Sequence, residues 1–419
     1  MEYEDLCDLK VHINGQHTFF LSQKKLCSFS ARLKKMVKQE KKRRSSKGSM
    51  TEIKIMDFPG GPNGFELISR FCHNNGRILM GPSNISILHS SAVLLEMTEE
   101  ISSSNLLAQS ETFLDGLFYW TWDDIIISLK TCEPFFSIAD SSGLLLRLIS
   151  SLLAKISENS DSSLTEATPF PYSPSSSSSP DILSVSSPKV LNKEWWFDDL
   201  SILAPSIIEK ILRTLGAYGT ENKNLTLTKF LLHYLKKVGV YGYKAECGSL
   251  AETAVNGVVL MGRAAFSCRG LFWVLRIVSG FRLRKECRLK LERVIGLLMD
   301  QATLDDLLVS GRGDEGVYDV SLVMRLARVF VSGVEEGGVP LQRLKKVGRL
   351  VDKYLGEISP DQSLKVSKFL GVAESLPDSA RDCFDGVYRA LDIYLQVIGN
   401  CHESVFSNHI FYYLVSFMR

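Results

Sequence analysis

Several things are missing from this sequence, and each absence removes a class of protein. Its nine cysteines include no Cys-x-x-Cys pair, and they are an odd number set mostly in apolar runs. That pattern argues for reduced, mainly buried thiols and against a disulfide or zinc framework. No stretch of ~18 apolar residues is present, as a spanning helix would need. The opening Met1-Glu2-Tyr3-Glu4-Asp5 is acidic where a signal peptide needs a basic start. Charge of one sign is not in excess either. Lys plus Arg number 49 against 47 Asp plus Glu, so no chain-wide field draws nucleic acid or membrane.

Catalytic patterns are equally scarce. Gly60-Gly61 and Gly311-x-Gly313 do not make a phosphate loop, and no Gly-x-Ser-x-Gly elbow occurs. Cys72-His73 stands without neighbours at metal-ligand spacing. The acid pairs Asp123-Asp124, Asp198-Asp199 and Asp305-Asp306 fall where helices are expected to begin. There they suit the positive end of the helix dipole. The reading is a protein with no catalytic, cofactor-binding or metal-binding residues, and therefore not an enzyme.

What is present is an α+β pattern followed by a helical one. Asp8 to Phe20 alternates apolar and polar residues around Asn14-Gly15, which predicts a β-hairpin. Ser22 predicts a helix start, and Ser28 or Ser30 a second short helix. Lys34 to Lys47 carries eight basic residues against one acid, Glu40. It is read as a solvated loop, with a nuclear-import signal or an anionic-surface patch as the functional alternative. Glu52 to Met56 predicts a third strand. Helical stripes follow at Phe65, Ile68, Phe71 and Cys72, at Ile85, Leu88, Ala92 and Leu95, over Asn105 to Phe118, over Trp122 to Leu129 and over Leu144 to Ile156. Strands mixed with helices in this order make an α+β module.

Residues 158–193 then change character, with Ser173 to Pro180 reading SPSSSSSP. Such a composition buries too little apolar surface to offset ordering entropy and predicts a disordered linker. From Glu194 the pattern is helical almost throughout. One face is expected from Ile202, Ile207, Ile211 and Leu215, and another from Leu289, Val294, Leu297 and Leu298. Gly239 to Gly270 is read as a loop or a weak helix pair.

The motifs resemble a known family. Asp8-Leu9-x-Val11-x-Ile13, Phe20-Leu21-Ser22, Lys25-Leu26-Cys27-Ser28 and Ser30-x-Arg32-Leu33 are similar to the opening of a BTB/POZ domain. Asp57-Phe58-Pro59-Gly60-Gly61, Leu95-Glu96-Met97-Thr98-Glu99-Glu100 and Asn105-Leu106 resemble the plant non-phototropic-hypocotyl branch. So do Trp195-Trp196-Phe197-Asp198-Asp199-Leu200-Ser201, Tyr318-Asp319-Val320, the run Val351-Asp352-x-Tyr354-Leu355-x-Glu357-Ile358-x-Pro360-Asp361 and Asp385-Gly386-x-Tyr388-Arg389-Ala390.

The resemblance implies a BTB/POZ domain at 6–115, a helical extension at 116–157, the linker, and a family-specific helical domain at 194–395. Residues 396–419 depart from the family's continuation, which implies a C-terminally short or alternative form. The implied function is a substrate-specific adaptor of a cullin-3-based ubiquitin ligase. The BTB domain would bind cullin-3 and form homo- or heterodimers, and the helical domain would hold an unknown target. The alternative is a non-catalytic signalling scaffold for a membrane-associated photoreceptor kinase. A transcription cofactor ranks below both, since DNA-reading motifs are lacking and no nucleic-acid partner is expected. The implied place is the cytoplasm, with the plasma-membrane periphery and the nucleus left open. The cullin face is expected in helices from Ile85 to Phe118, with Leu95, Glu96 and Met97 as protein-binding candidates.

Overall fold

Residues 7–15, 17–43, 50–161, 194–241, 243–311, 317–337 and 340–401 are described by the structure, a computed structural model. The Ser/Pro-rich stretch from 162 to 193, Arg44 to Lys47 of the basic run and the tail from 402 onward lie outside them. The chain divides into two compact units, one ending at Leu215 and the other beginning at Gly216.

The first unit opens with strands β1 (Leu9–Ile13) and β2 (His17–Leu21), paired antiparallel with Leu9 opposite Leu21. Asn14 and Gly15 take positive φ, 52° and 68°, as the Asn-Gly turn requires. Asn14 also ties the sheet to the next loop, because its side-chain oxygen accepts from the Phe58 N–H at 3.0 Å. Helices α1 (Gln23–Phe29) and α2 (Ala31–Arg43) cross over to β3 (Thr51–Ile55). β3 runs parallel to β1 in a sheet of order β2-β1-β3. The predicted alternation holds: Leu9, Val11, Ile13, Ile53 and Ile55 face the core.

The basic stretch is a correction. From Lys34 to Arg43 it is not a loop but most of α2, and the second helix is not short. Leu33, Met36 and Val37 supply an apolar stripe at helical spacing, and lysine is a good helix former. The Ser30 hydroxyl accepts from the Leu33 N–H at 3.1 Å and so starts this helix.

Helix α3 (Gly61–His73) sends Phe65 and Phe71 into the core, where Phe65 meets Phe19 at 5.1 Å and Phe58 at 5.3 Å. Its Gly64 lies so close to the Pro59 carbonyl that a Cβ would sit 2.0 Å from that oxygen, so no side chain fits. Helix α4 (Ile85–Leu94) is buried on nearly every side. It is followed by α5 (Leu106–Leu114), α6 (Trp122–Cys132), α7 (Phe136–Ser141) and α8 (Leu144–Asp161).

After the linker, α9 (Phe197–Leu200) and α10 (Pro205–Thr214) complete this same unit. Trp196, Phe197, Leu200 and Leu203 are buried there. The Trp122 ring meets Trp195 at 4.7 Å and its indole N–H donates to Asp199 at 2.9 Å. Lys130 donates to the Ile202 carbonyl at 2.6 Å, Glu133 accepts from the Ala204 N–H at 2.6 Å, and Lys210 pairs with Asp140 at 2.7 Å. Of the expected stripe, Ile207 and Ile211 are buried on α10 beside Ile208 and Leu212, whereas Ile202 and Leu215 are exposed.

The second unit is helical: α11 (Leu225–Tyr241), α12 (Gly248–Met261), α13 (Cys268–Val278), α14 (Lys285–Gly296), α15 (Leu304–Leu307), α16 (Val320–Gly337), α17 (Leu341–Ile358), α18 (Val366–Ala373) and α19 (Asp385–Cys401). The stretch from Gly239 to Gly270 runs from the end of α11 to the start of α13, and its middle is α12, where Leu250, Ala251, Ala254, Val255 and Val258 give a continuous buried apolar face. On α14 the buried face is Cys287, Leu291 and Ile295; of the expected stripe Leu289 and Leu297 are exposed, Val294 is half-buried and Leu298, just past the helix, is buried. Charged groups bridge the helices. Glu292 is only 1% exposed, and Arg288 of its own helix and Arg325 of α16 both bind it.

Candidate protein-interaction surface

The expected docking region, Ile85 to Phe118, contains mostly interior. Leu95 and Met97 are fully buried in the core, and Leu95 offers only its carbonyl, which accepts from the Ser30 hydroxyl at 2.6 Å. Glu96, at φ 54°, is the one of the three whose side chain reaches solvent, where it pairs with Lys35 at 2.7 Å. The three candidates therefore form no continuous surface.

The exposed apolar part of this region lies just beyond α5. Asn105 starts that helix: its side-chain oxygen accepts from the Leu106 N–H at 2.8 Å while its amide donates to the Phe29 and Thr98 carbonyls, both at 2.9 Å. The helix expected to reach Phe118 ends at Leu114 and tightens into a 3-10 turn over Asp115–Tyr119. The reason is geometric. Leu117-Phe118-Tyr119-Trp120 are four consecutive large apolar residues, and no single helix face can bury them all. Leu117 and Trp120 turn inward, and Trp120 packs on Phe113 at 5.6 Å. Phe118 and Tyr119 are left 75% and 85% exposed, edge to face at 5.5 Å. Thr121 and Asp124 then start α6 with a reciprocal capping box, which fixes the end of the turn.

A charged network braces the turn from behind. Arg147 of α8 binds both Glu111 and Asp115, the latter at 2.8 Å, and the nearly buried His89 bonds Glu111 at 2.8 Å. Burial pushes the Glu111 carboxyl up, but the bonds and charges of His89 and Arg147 outweigh it and hold the group below the usual carboxylate range. The result is an aromatic pair presented on a rigid base, the kind of anchor that dominates protein interfaces.

Other chemistry is sparse. Among the described residues no three His, Cys, Asp or Glu side chains are placed to hold a metal. Burial pushes the Cys72 and Cys132 thiols up to about 12, which keeps them inert. No single helix among the described residues is long and apolar enough to cross a membrane. In the second unit a cleft of about 270 Å³ has an apolar floor with Val278, Phe281 and Leu322, and Arg282, Arg288 and Asp319 at its polar edge. Nearby, the motif at Tyr318-Asp319-Val320 meets the end of α17, where Asp361 accepts from the Val317 N–H at 2.9 Å.

The NPH3 family profile matches residues 194–404, half of the chain. A BTB/POZ domain-containing protein of Arabidopsis thaliana, At1g50280, is 51% identical over 93% of this chain and 78% of its own length. A second from the same plant, At3g22104, is 35% identical over 93% of this chain and 75% of its own length. The chain belongs to the NPH3 family. A third Arabidopsis member, BTB/POZ domain-containing protein SR1IP1, is 31% identical over 94% of this chain and 67% of its own length. No solved structure matches this chain. The NPH3-family profile begins at Glu194, yet residues 194–215 pack within the first compact unit. Membership among BTB/POZ proteins with helical NPH3 regions supports a protein-interaction adaptor.

Proposed function

We propose that this NPH3-family protein is a substrate adaptor of a cullin-3-based ubiquitin ligase, docking the cullin through its first unit and a target through its second. The observation that carries the reading is the exposed pair Phe118 and Tyr119, held on a braced turn beside the BTB-like core. Two aromatic rings with few rotatable bonds provide apolar area at low entropic cost, which suits an interface anchor. Ubiquitin transfer asks such an adaptor for proximity between target and carrier. The 270 Å³ cleft of the second unit is a concavity of a size to receive a target side chain.

The test is calorimetry of the full chain against the cullin-3 N-terminal region. Micromolar or tighter binding is expected, weakened about thirtyfold by Phe118→Ala with Tyr119→Ala, as for an anchor worth ~2 kcal/mol. Absence of binding by the folded wild-type chain would remove the ligase reading and leave the scaffold reading.

A further inference from the structure

Apart from the Lys35–Glu96 pair, the basic face of α2 takes no part in the contacts described so far. Its lysines at 34, 35, 38, 41 and 42 and its arginines at 32 and 43 are all solvent-exposed, while Leu33 and Val37 point inward. The sole acid of the helix is Glu40. Lys34, Lys38 and Lys42 recur every four residues, so they line one ridge about 12 Å long at ~1.5 Å per residue.

Like charges at that spacing destabilise a helix. Lys35 is held by Glu96, but the three ridge lysines have no ion-pair partner among the described residues. The negative end of the helix dipole accounts for Lys41, Lys42 and Arg43 in the last turn, and not for Lys34 or Lys38. Neither folding nor the dipole explains Lys34 and Lys38, the first two lysines of the ridge.

We propose that this face of α2 is an electrostatic docking surface for anionic phospholipid bilayers. Three features favour a bilayer over nucleic acid. Lysine outnumbers arginine, and a lysine ammonium is a point charge suited to a diffuse anionic surface, whereas phosphate-by-phosphate recognition favours the arginine fork. The helix carries no aromatic residue on which a base could stack. The exposed face carries no large apolar side chain, so contact with the bilayer is peripheral and governed by charge and salt. The nuclear-import reading weakens for the same reason that the loop reading fails: Lys41 to Arg43 are committed to a helix.

The test is co-sedimentation of the full chain with vesicles of phosphatidylcholine alone and of phosphatidylcholine containing about a third phosphatidylserine. Binding is expected only to the acidic vesicles and should fall steeply as salt rises. Replacing Lys34, Lys38 and Lys42 together by Gln should weaken it about a hundredfold, roughly fivefold for each lysine removed from near an anionic surface. The same three positions as arginine should retain binding, which separates charge from any effect on folding. Equal binding to neutral vesicles, salt-insensitive binding, or full binding by the Gln variant overturns the proposal. So does tighter binding to duplex DNA, or to polyglutamate, than to acidic vesicles at equal anionic charge.

Discussion

Arg343 donates two hydrogen bonds to Asp300, at 2.8 and 2.7 Å, and so joins α17 to the turn after α14. The hydrogen bonds and charge of Arg343 hold the Asp300 carboxyl below the usual carboxylate range, against the upward push of partial burial. Its folded-state pKa is thus lower than its unfolded value of ~3.9. The pair's contribution is complete above the unfolded value and is lost as pH falls through the folded one. Asp300→Asn should cost about 1.5–3 kcal/mol at neutral pH, as for a hydrogen bond to a charged group. It should also flatten the loss of stability below pH ~4. Urea titrations of the wild type and the variant at neutral and acid pH measure both effects. Local pairings of this kind are legible in sequence and distant ones are not. Asp123-Asp124 and Asp305-Asp306 do begin helices, each with a threonine three residues before the second acid completing a capping box. Nothing in the sequence joins Asp300 to Arg343, or Glu111 to Arg147, because tertiary packing alone creates those neighbours. Gly348 is similar: a Cβ there would lie 2.1 Å from the Ala380 carbonyl, a constraint that a helix-interior glycine does not announce.

At the scale of elements, the strands, the Asn-Gly turn and most of the helices follow from periodicity, while which helix face is buried depends on partners. The α14 stripe shows the limit. Leucines at 289 and 297 have the right character but face solvent, because packing against α12 and α16 selects the neighbouring row. Leu95 and Met97 show the converse, since a motif that attracts attention can be core. The aromatic turn was within reach, for four consecutive large apolar residues just before a Thr-x-x-Asp cap cannot stay in one helix. The docking of α9 and its flanks yields a direct measurement. Leu200 is 1% exposed inside the first unit, so Leu200→Ala should cost about 2–5 kcal/mol as a buried large-to-small change. In a fragment ending at Leu215 it should lower the melting temperature. An unchanged melt would show that 194–215 does not belong to that unit.

For the whole molecule, composition marks a boundary at the Ser/Pro-rich linker, whereas the compact units part at Leu215 and Gly216. Composition reports which residues can pack, and it carries no information about which side they pack with. A protease site engineered at position 176 provides a test. The two pieces should stay together on size exclusion after cleavage, because the segment after the cut supplies Trp196, Phe197, Leu200 and Leu203 to the unit before it. Denaturant should be needed to part them. Two separate native peaks would mean that the linker divides the folding units after all.

Residues 194–215 have one more consequence, in time rather than in space. A growing chain leaves the ribosome from its N-terminus, so the first unit cannot close when Asp161 has been made. It must wait for about fifty further residues, roughly three to ten seconds at ~5–20 residues per second. Throughout that interval the α6 surface that will meet Trp195 and Asp199 stays uncovered. The first half of this protein therefore depends on a sequence that the cell has not yet translated, and any chaperone that guards the nascent chain has its moment there.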